Sequence, residues 1–163
     1  MNVIRQISFV LLFVVCGLCA IGQQQHAPEP TSSAIIDGAQ YPDLIPDSVA
    51  HRLYITAVAE MPSGLQHAQL VQAGLSDSDA AAAGKVLAEF SAKWHILLDQ
   101  HNSRVDEGTT DPTTEDEFLR ARDLLIENTL AQIQKVVLVG HFQAFTVHIN
   151  GEKQHMKIGL NVK

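Results

Sequence analysis

Residues 75–102, with the sequence LSDSDAAAAGKVLAEFSAKWHILLDQHN, decide the predicted fold. Their apolar residues recur at alternating spacings of four and three, which places them on one stripe of a helix. The stripe comprises Ala83, Leu87, Phe90, Trp94, Leu97 and His101. Lys85 and Glu89 fall off it, as expected of a solvated side. We therefore expect a long amphipathic helix whose apolar side is covered by other parts of the chain.

The start of this helix carries its own signal. Ser76 is a good N-cap residue, and Asp77 and Asp79 complement the positive end of the helix dipole. A helix of roughly 28 residues is about 42 Å long. Such a length is typical of a helical hairpin or bundle.

A second long helix is predicted over residues 114–136. Thr114 and Glu117 match a capping box, and the polar loop before them is short enough to make the two long helices antiparallel neighbours. The sequence thus predicts an all-α fold, a small bundle around a helical hairpin of about residues 75–105 and 114–136. The expected core centres on Leu87, Phe90, Trp94 and Leu97, packed on Ile126, Leu130 and Ile133.

Two shorter helices are expected before the hairpin. Asp47 is a suitable N-cap for a helix over residues 48–60. Residues 65–73 form a second short helix, which Gly74 closes at the C′ position. Pro42 and Pro46 each bias the preceding residue away from helix, so residues 35–46 are expected to form an extended strap across the bundle.

The N-terminal residues have the pattern of a secretory signal. Arg5 precedes an apolar run, and Ala20 and Gly22 place small residues before a cleavage site. The run is shorter than the ~20 residues needed to span a membrane. We expect a signal peptide over 1–22, a disordered tether over 23–34 and a single helical domain over 35–163. Cys16 and Cys19 lie in the signal, so disulfide or thiol chemistry is not expected after cleavage.

The net charge of the chain argues against some classes of binding partner. It has 11 basic and 18 acidic residues, a net charge of −7, and loss of Arg5 with the signal makes this −8. Such an acidic protein is not expected to bind nucleic acid or anionic membrane surfaces. We expect an exported protein, periplasmic or extracellular, that does not insert into the membrane after cleavage.

The C-terminal segment has two interpretations. Alternating apolar residues on either side of Asn150-Gly151 predict a β-hairpin. Alternatively, residues 141–157 form a fifth helix, with Phe142, Phe145 and Met156 among the residues of one side. An isolated two-stranded hairpin is marginally stable, whereas a helix would complete the bundle.

Two motifs resemble a family of exported bacterial proteins of unknown function. The first is IDG-x-x-x-P-D-L-I-P-D over residues 36–47, and the second is H-I-x-x-E-K-x-x-M-K-I over residues 148–158. The resemblance covers most of the chain after the signal, and it implies a terminal helix that follows a break. It implies no activity, cofactor or catalytic residue.

Histidine is the main candidate for site chemistry, with eight in the chain. On a helix, His148, Glu152 and His155 would have the spacing of metal ligands, and Glu-x-x-His recurs in di-iron bundles. Those bundles need two such pairs, and only one is present. A protein that binds a transition metal through these three residues is therefore the alternative hypothesis.

No catalytic motif accompanies these histidines. The sequence lacks a G-x-S-x-G nucleophile elbow, a phosphate-binding loop and a G-x-G-x-x-G fingerprint. We expect a non-enzymatic helical protein that needs no cofactor and acts through protein–protein interaction or self-association. The expected surface combines the strap with the terminal element and comprises Tyr41, Leu44, Phe142, Phe145 and Met156.

Overall fold

The computed structural model describes residues 34–108 and 111–160. The predicted signal peptide lies outside the described residues, and so does the predicted tether except for Ala34, the first residue of a strand. Both therefore stay predictions.

Five α-helices and two short strands make up most of the described residues. In chain order they are β1 (Ala34–Asp37), α1 (Asp47–Ala59), α2 (Ser63–Gln72), α3 (Asp77–Asp106), α4 (Pro112–Val136), α5 (Val139–Gly151) and β2 (Lys157–Leu160), with 3₁₀ helices at Pro42–Leu44 and Glu152–His155. The predicted all-α bundle is confirmed.

The α3–α4 hairpin is the framework of the bundle. His101 stacks on Phe118 at one end, while the side chain of Asp79 contacts the backbone of Leu138 at the other, so the two helices are antiparallel. Ser76 caps α3 as predicted, because its hydroxyl accepts a hydrogen bond from the Asp79 amide at 3.2 Å. The helix ends at Asp106, one residue beyond the predicted end at about residue 105.

Two predicted helix caps are wrong. The cap of α4 is Asp111, whose carboxylate accepts a hydrogen bond from the Thr114 amide at 2.7 Å. Pro112 follows as the first helical residue, a position that suits proline. Thr114 therefore lies inside the first turn. Similarly, Asp47 is the first residue of α1 rather than its cap, and its carboxylate pairs with Lys153.

The core combines one stripe from each helix. Leu87 and Phe90 of α3 and Ile126 and Ile133 of α4 are buried as predicted, whereas Trp94 is half-buried and packs against them. The other helices contribute Ile55, Val58, Leu70, Phe145 and Ile149. Gly74 follows α2 with a φ of 97°, which confirms its predicted role at the end of that helix.

The C-terminal segment matches neither interpretation in full. It is helical through Gly151, so the hairpin centred on Asn150-Gly151 is wrong. The predicted helix over 141–157 is wrong at its end, because a 3₁₀ turn and then β2 follow Gly151. β2 pairs antiparallel with β1, with Ile36 opposite Ile158 and Asp37 opposite Lys157. Its hydrogen-bonding partner therefore comes from the far end of the chain rather than from a neighbouring strand.

The predicted strap is only partly extended. β1 is followed by a turn and by the 3₁₀ helix Pro42–Leu44. Ile45 is buried, whereas Tyr41 and Leu44 are exposed. The segment thus attaches to the bundle through Ile45, the two-stranded sheet and a hydrogen bond from the Gly38 amide to the Met156 carbonyl.

Candidate functional site

Within the residues that the structure describes, two long segments carry no Asp, Glu, Lys or Arg. The first lies between Glu60 and Asp77 and contains α2, and the second lies between Lys135 and Glu152 and contains α5. Charged residues normally cover the solvated side of a surface helix. A surface helix without them is therefore unusual in a chain in which 18% of residues are charged.

α5 is apolar on both of its sides. Its inner side buries Phe145 and Ile149 completely. The opposite stripe consists of Gly140, Ala144, Val147 and Gly151, and all four are exposed. Val147 retains 71% of its accessible surface and Val139, at the start of the helix, retains 73%. The solvated side of a surface helix normally carries polar or charged residues, and this outer stripe carries none.

The two uncharged segments meet at Gly74. A Cβ atom placed on Gly74 would lie 2.8 Å from the Cβ atom of Ala144, so the glycine permits this close approach. Val71, which precedes Gly74 by three residues, is exposed beside it. We name the combined surface the α2–α5 face and define it as Val71, Val139, Gly140, Ala144 and Val147.

A hydrogen bond fixes the beginning of α5 on α3. Asp79 is buried, and its carboxylate lies 2.5 Å from Nδ1 of His141 and 3.4 Å from the amide of Leu138. The hydrogen bond from His141 is the main cause that lowers the pKa of Asp79 below its ordinary value. The first turn of α5 therefore has a defined position.

The end of α5 and the 3₁₀ turn after it are held by α1. The Lys153 ammonium pairs with Asp47 and lowers the pKa of that carboxyl. Tyr54 contacts Phe145 and His148 edge-on, with ring centroids 5.7 and 5.8 Å away. Burial raises the pKa of Tyr54. With both ends attached, α5 presents its outer stripe in a fixed orientation.

The predicted interaction surface does not form as one patch. Tyr41 and Leu44 are exposed on the strap, as expected. Phe142 and Met156 are half-buried against the core. Phe145 belongs to the core itself, because it lies on the inner side of α5, so its placement on the surface is wrong. The exposed part of the same helix is the stripe that contains Ala144 and Val147.

The predicted metal ligands are separated by a change of secondary structure. His148 Nε2 lies 3.8 Å from Glu152 Oε1, whereas His155 lies at the end of the 3₁₀ turn and is exposed. Within residues 34–108 and 111–160, no three His, Cys, Asp or Glu side chains are grouped so that they could hold a metal ion. His148 and Glu152 would offer an ion two ligands at most.

The fold defines the class of this protein as an all-α helical bundle. Its sequence matches no protein-family model and no characterised protein, and no solved structure matches it either. Across the described part of the chain, none of the helices combines the length and the apolar character that crossing a membrane requires.

The α2–α5 face was missed by the sequence analysis, although one of its signals is visible there. The two uncharged segments can be read directly from the sequence. What cannot be read is that they contact each other, since residues 74 and 144 meet only in the folded chain. Periodicity also fails on α5, because both of its sides are apolar.

Proposed function

We propose that this chain is an exported, non-enzymatic helical protein that associates with a second copy of itself through the α2–α5 face. One observation carries the proposal: the outer stripe of α5, which contains Gly140, Ala144 and Val147, is apolar and uncharged but remains exposed. Exposed apolar surface of this kind marks interaction sites in soluble proteins.

The outer stripe of α5 is suited to pack against its own copy. Gly140 and Ala144 bring little side-chain volume, so two helix backbones can approach closely. In an antiparallel pair that crosses near Ala144, Val147 of each copy lies opposite Gly140 of the other. This places a larger side chain against a gap twice, as a two-fold symmetric interface requires.

Charge favours this face as the place of contact. Two copies with an expected net charge of −8 repel each other, and every like-charged pair at an interface adds to that cost. The α2–α5 face adds none, because neither of its segments has a charged residue. Association there therefore meets the least electrostatic opposition.

Sedimentation equilibrium of the protein without residues 1–22 tests the proposal. We expect a dimer for the natural sequence and at least about a tenfold weaker association for Val147→Glu, because the symmetric contact would enclose two carboxylates. Ile96→Glu on α3 is the matched control, since Ile96 is also an exposed aliphatic residue. A monomer at all concentrations, or equal dissociation in both variants, would overturn it.

A second variant separates association from folding. A Cβ atom at Gly140 has no other atom within 4 Å, so the monomer has room for a larger side chain. At a protein concentration low enough to keep both proteins monomeric, Gly140→Leu should therefore unfold at no lower urea concentration than the natural protein, yet it should fail to dimerise at higher concentration. A dimer of undiminished strength would exclude the close approach of the two α5 helices.

Export is the second part of the proposal and has its own test. Arg5, the short apolar run and the Ala20–Gly22 site support cleavage before Gln23. Mass spectrometry of the protein recovered outside the cytoplasm should find Gln23 at its N-terminus. Recovery there of a chain that still begins at Met1 would contradict cleavage.

A further inference from the structure

A cavity of about 310 Å³ lies between α1 and α4, and the proposed dimer does not use it. Its size is at the lower end of the range of small-molecule sites, roughly 300 to 1,000 Å³. None of its lining residues belongs to the α2–α5 face. They are Ser48, His51 and Arg52 from α1, and Asp123, Ile126, Glu127 and Leu130 from α4.

The two walls of the cavity differ in charge. α1 contributes the guanidinium of Arg52, whereas α4 contributes the carboxylates of Asp123 and Glu127 one turn apart. Ile126 is buried and Leu130 is half-buried, so together they give the cavity an apolar side. A ligand that fills this space therefore meets a cation, an anion and hydrocarbon.

The charged groups of the cavity are only partly satisfied by each other. Asp123 lies 2.8 Å from Arg122, its neighbour in the chain, but 3.8 Å from Arg52. Arg52 is thus the weaker partner of that carboxylate. Within the part of the chain that the structure describes, Glu127 makes no ion pair or hydrogen bond. One cation and one carboxylate therefore remain available to a ligand.

His51 adds an unsatisfied polar atom to the same lining. Its Nε2 atom is buried and has no hydrogen-bond partner among the described residues. A buried polar atom without a partner is costly, but this nitrogen is closed off from the cavity, so the ligand groups are assigned to Arg52 and Glu127 alone. The cavity thus combines a weakly paired guanidinium, an unpaired carboxylate and an apolar side.

We propose that this cavity binds a small zwitterion with an aliphatic body, of the chemical class of the free aliphatic amino acids. Arg52 receives the ligand carboxylate, and Glu127 receives its ammonium group. The aliphatic side chain lies on Ile126 and Leu130. Neither a simple cation nor a simple anion satisfies both walls at once.

Three related compounds test the charge pattern by calorimetric titration of the protein without residues 1–22. L-Leucine carries both charges, isoamylamine lacks the carboxylate, and 4-methylpentanoate lacks the ammonium group. We expect leucine to bind and each analogue to bind at least about tenfold more weakly, because each leaves one charged wall unpaired. Equal or tighter binding of either analogue, or no binding of leucine at millimolar concentration, would overturn the proposal.

Variants assign each ligand group to its residue. Glu127→Gln should weaken the binding of leucine by at least about tenfold. The affinity for 4-methylpentanoate should stay unchanged, because that compound has no ammonium group to contact Glu127. Arg52→Gln should likewise weaken the binding of leucine and leave the affinity for isoamylamine unchanged. Glu89→Gln on α3 is the control, since Glu89 is an exposed acid outside the cavity. Equal losses for all three compounds in the Glu127 variant would overturn the assignment.

Discussion

At the scale of a single residue, close approach of the backbone explains the glycine of the IDG motif, Gly38, better than its preference for turns does. Its amide donates a hydrogen bond to the Met156 carbonyl at 2.8 Å. A Cβ atom there would lie 1.8 Å from the Lys153 carbonyl oxygen and 2.9 Å from that of Met156. Both obstacles are backbone atoms, so neither can rotate away. The glycine is needed because the 3₁₀ turn passes so close.

Gly38→Ala should therefore lower the free energy of unfolding by about 1 to 3 kcal/mol, the usual cost of overpacking. Gly159→Ala is the matched control, because a Cβ atom on Gly159 meets no atom within 4 Å. Urea unfolding of both variants measures the difference. Equal stability of the two would mean that the Lys153 backbone moves aside at little cost.

Phe90 and Trp94 test the predicted core residue by residue. The apolar stripe of α3 predicts that both are buried, but Phe90 is 1% exposed whereas Trp94 is half-buried between Phe90 and Phe118. Phe90→Ala should cost about 3 to 5 kcal/mol. Trp94→Ala should cost less, because part of the indole already faces water. Chemical denaturation of the two variants would show the reverse order if α3 were rotated.

At the scale of the element, local signals predicted the helices well and distant pairing poorly. Ser76 and the stripe on either side of Phe90 locate α3 because a cap and a helical period involve only neighbouring residues. The pairing of β2 with β1 has no such signal, since each strand has four residues and its partner is distant in the sequence. The alternation around Asn150-Gly151 predicted a local partner instead.

For the candidate surfaces too, local features could be predicted from the sequence, whereas contacts between distant residues could not. The uncharged character of α5 is present in the sequence, but the side that it buries depends on where α1 and α3 lie. Phe145 and Val147 are only two residues apart, yet one is in the core and the other is exposed. The cavity beside His51 could not be predicted at all, because it exists only where α1 crosses α4.

The attachment of α5 to α3 gives a prediction at this scale. His141→Ala removes the shortest hydrogen bond of the buried Asp79 carboxylate and leaves its contacts to the Leu138 amide and the Ser76 hydroxyl. Amide hydrogen exchange in the first turn of α5 should therefore accelerate, while exchange in α4 stays unchanged. His67→Ala is the control, because His67 pairs with Asp77 on the surface, where water can replace it. Similar acceleration in both variants would show that the Asp79 contact does not hold α5.

At the scale of the whole molecule, three groups whose pKa values are lowered by folding make the protein less stable as the pH falls. The pKa values of Asp47 and Asp79 are lowered by their partners Lys153 and His141. The pKa of His51 is lowered mainly by burial. In each case the unfolded chain binds protons at a higher pH than the folded chain does. Each group therefore contributes stability that is lost as the pH falls.

His51 is the group that acts nearest to neutral pH. An unfolded histidine titrates at about pH 6.5. The pKa of His51 in the folded protein lies below this ordinary value. Its contribution to the free energy of unfolding is therefore complete above about pH 6.5 and declines as the pH falls. Asp47 partly opposes the shift and Lys153 adds to it. His51→Gln should therefore reduce the loss of unfolding free energy between pH 7.5 and pH 5, measured by urea titration at fixed salt at these two chosen pH values. His155→Gln, at an exposed position, should leave that loss unchanged. If the His51 variant loses as much stability as the natural protein, the imidazole accepts its proton in the folded state as readily as in the unfolded one.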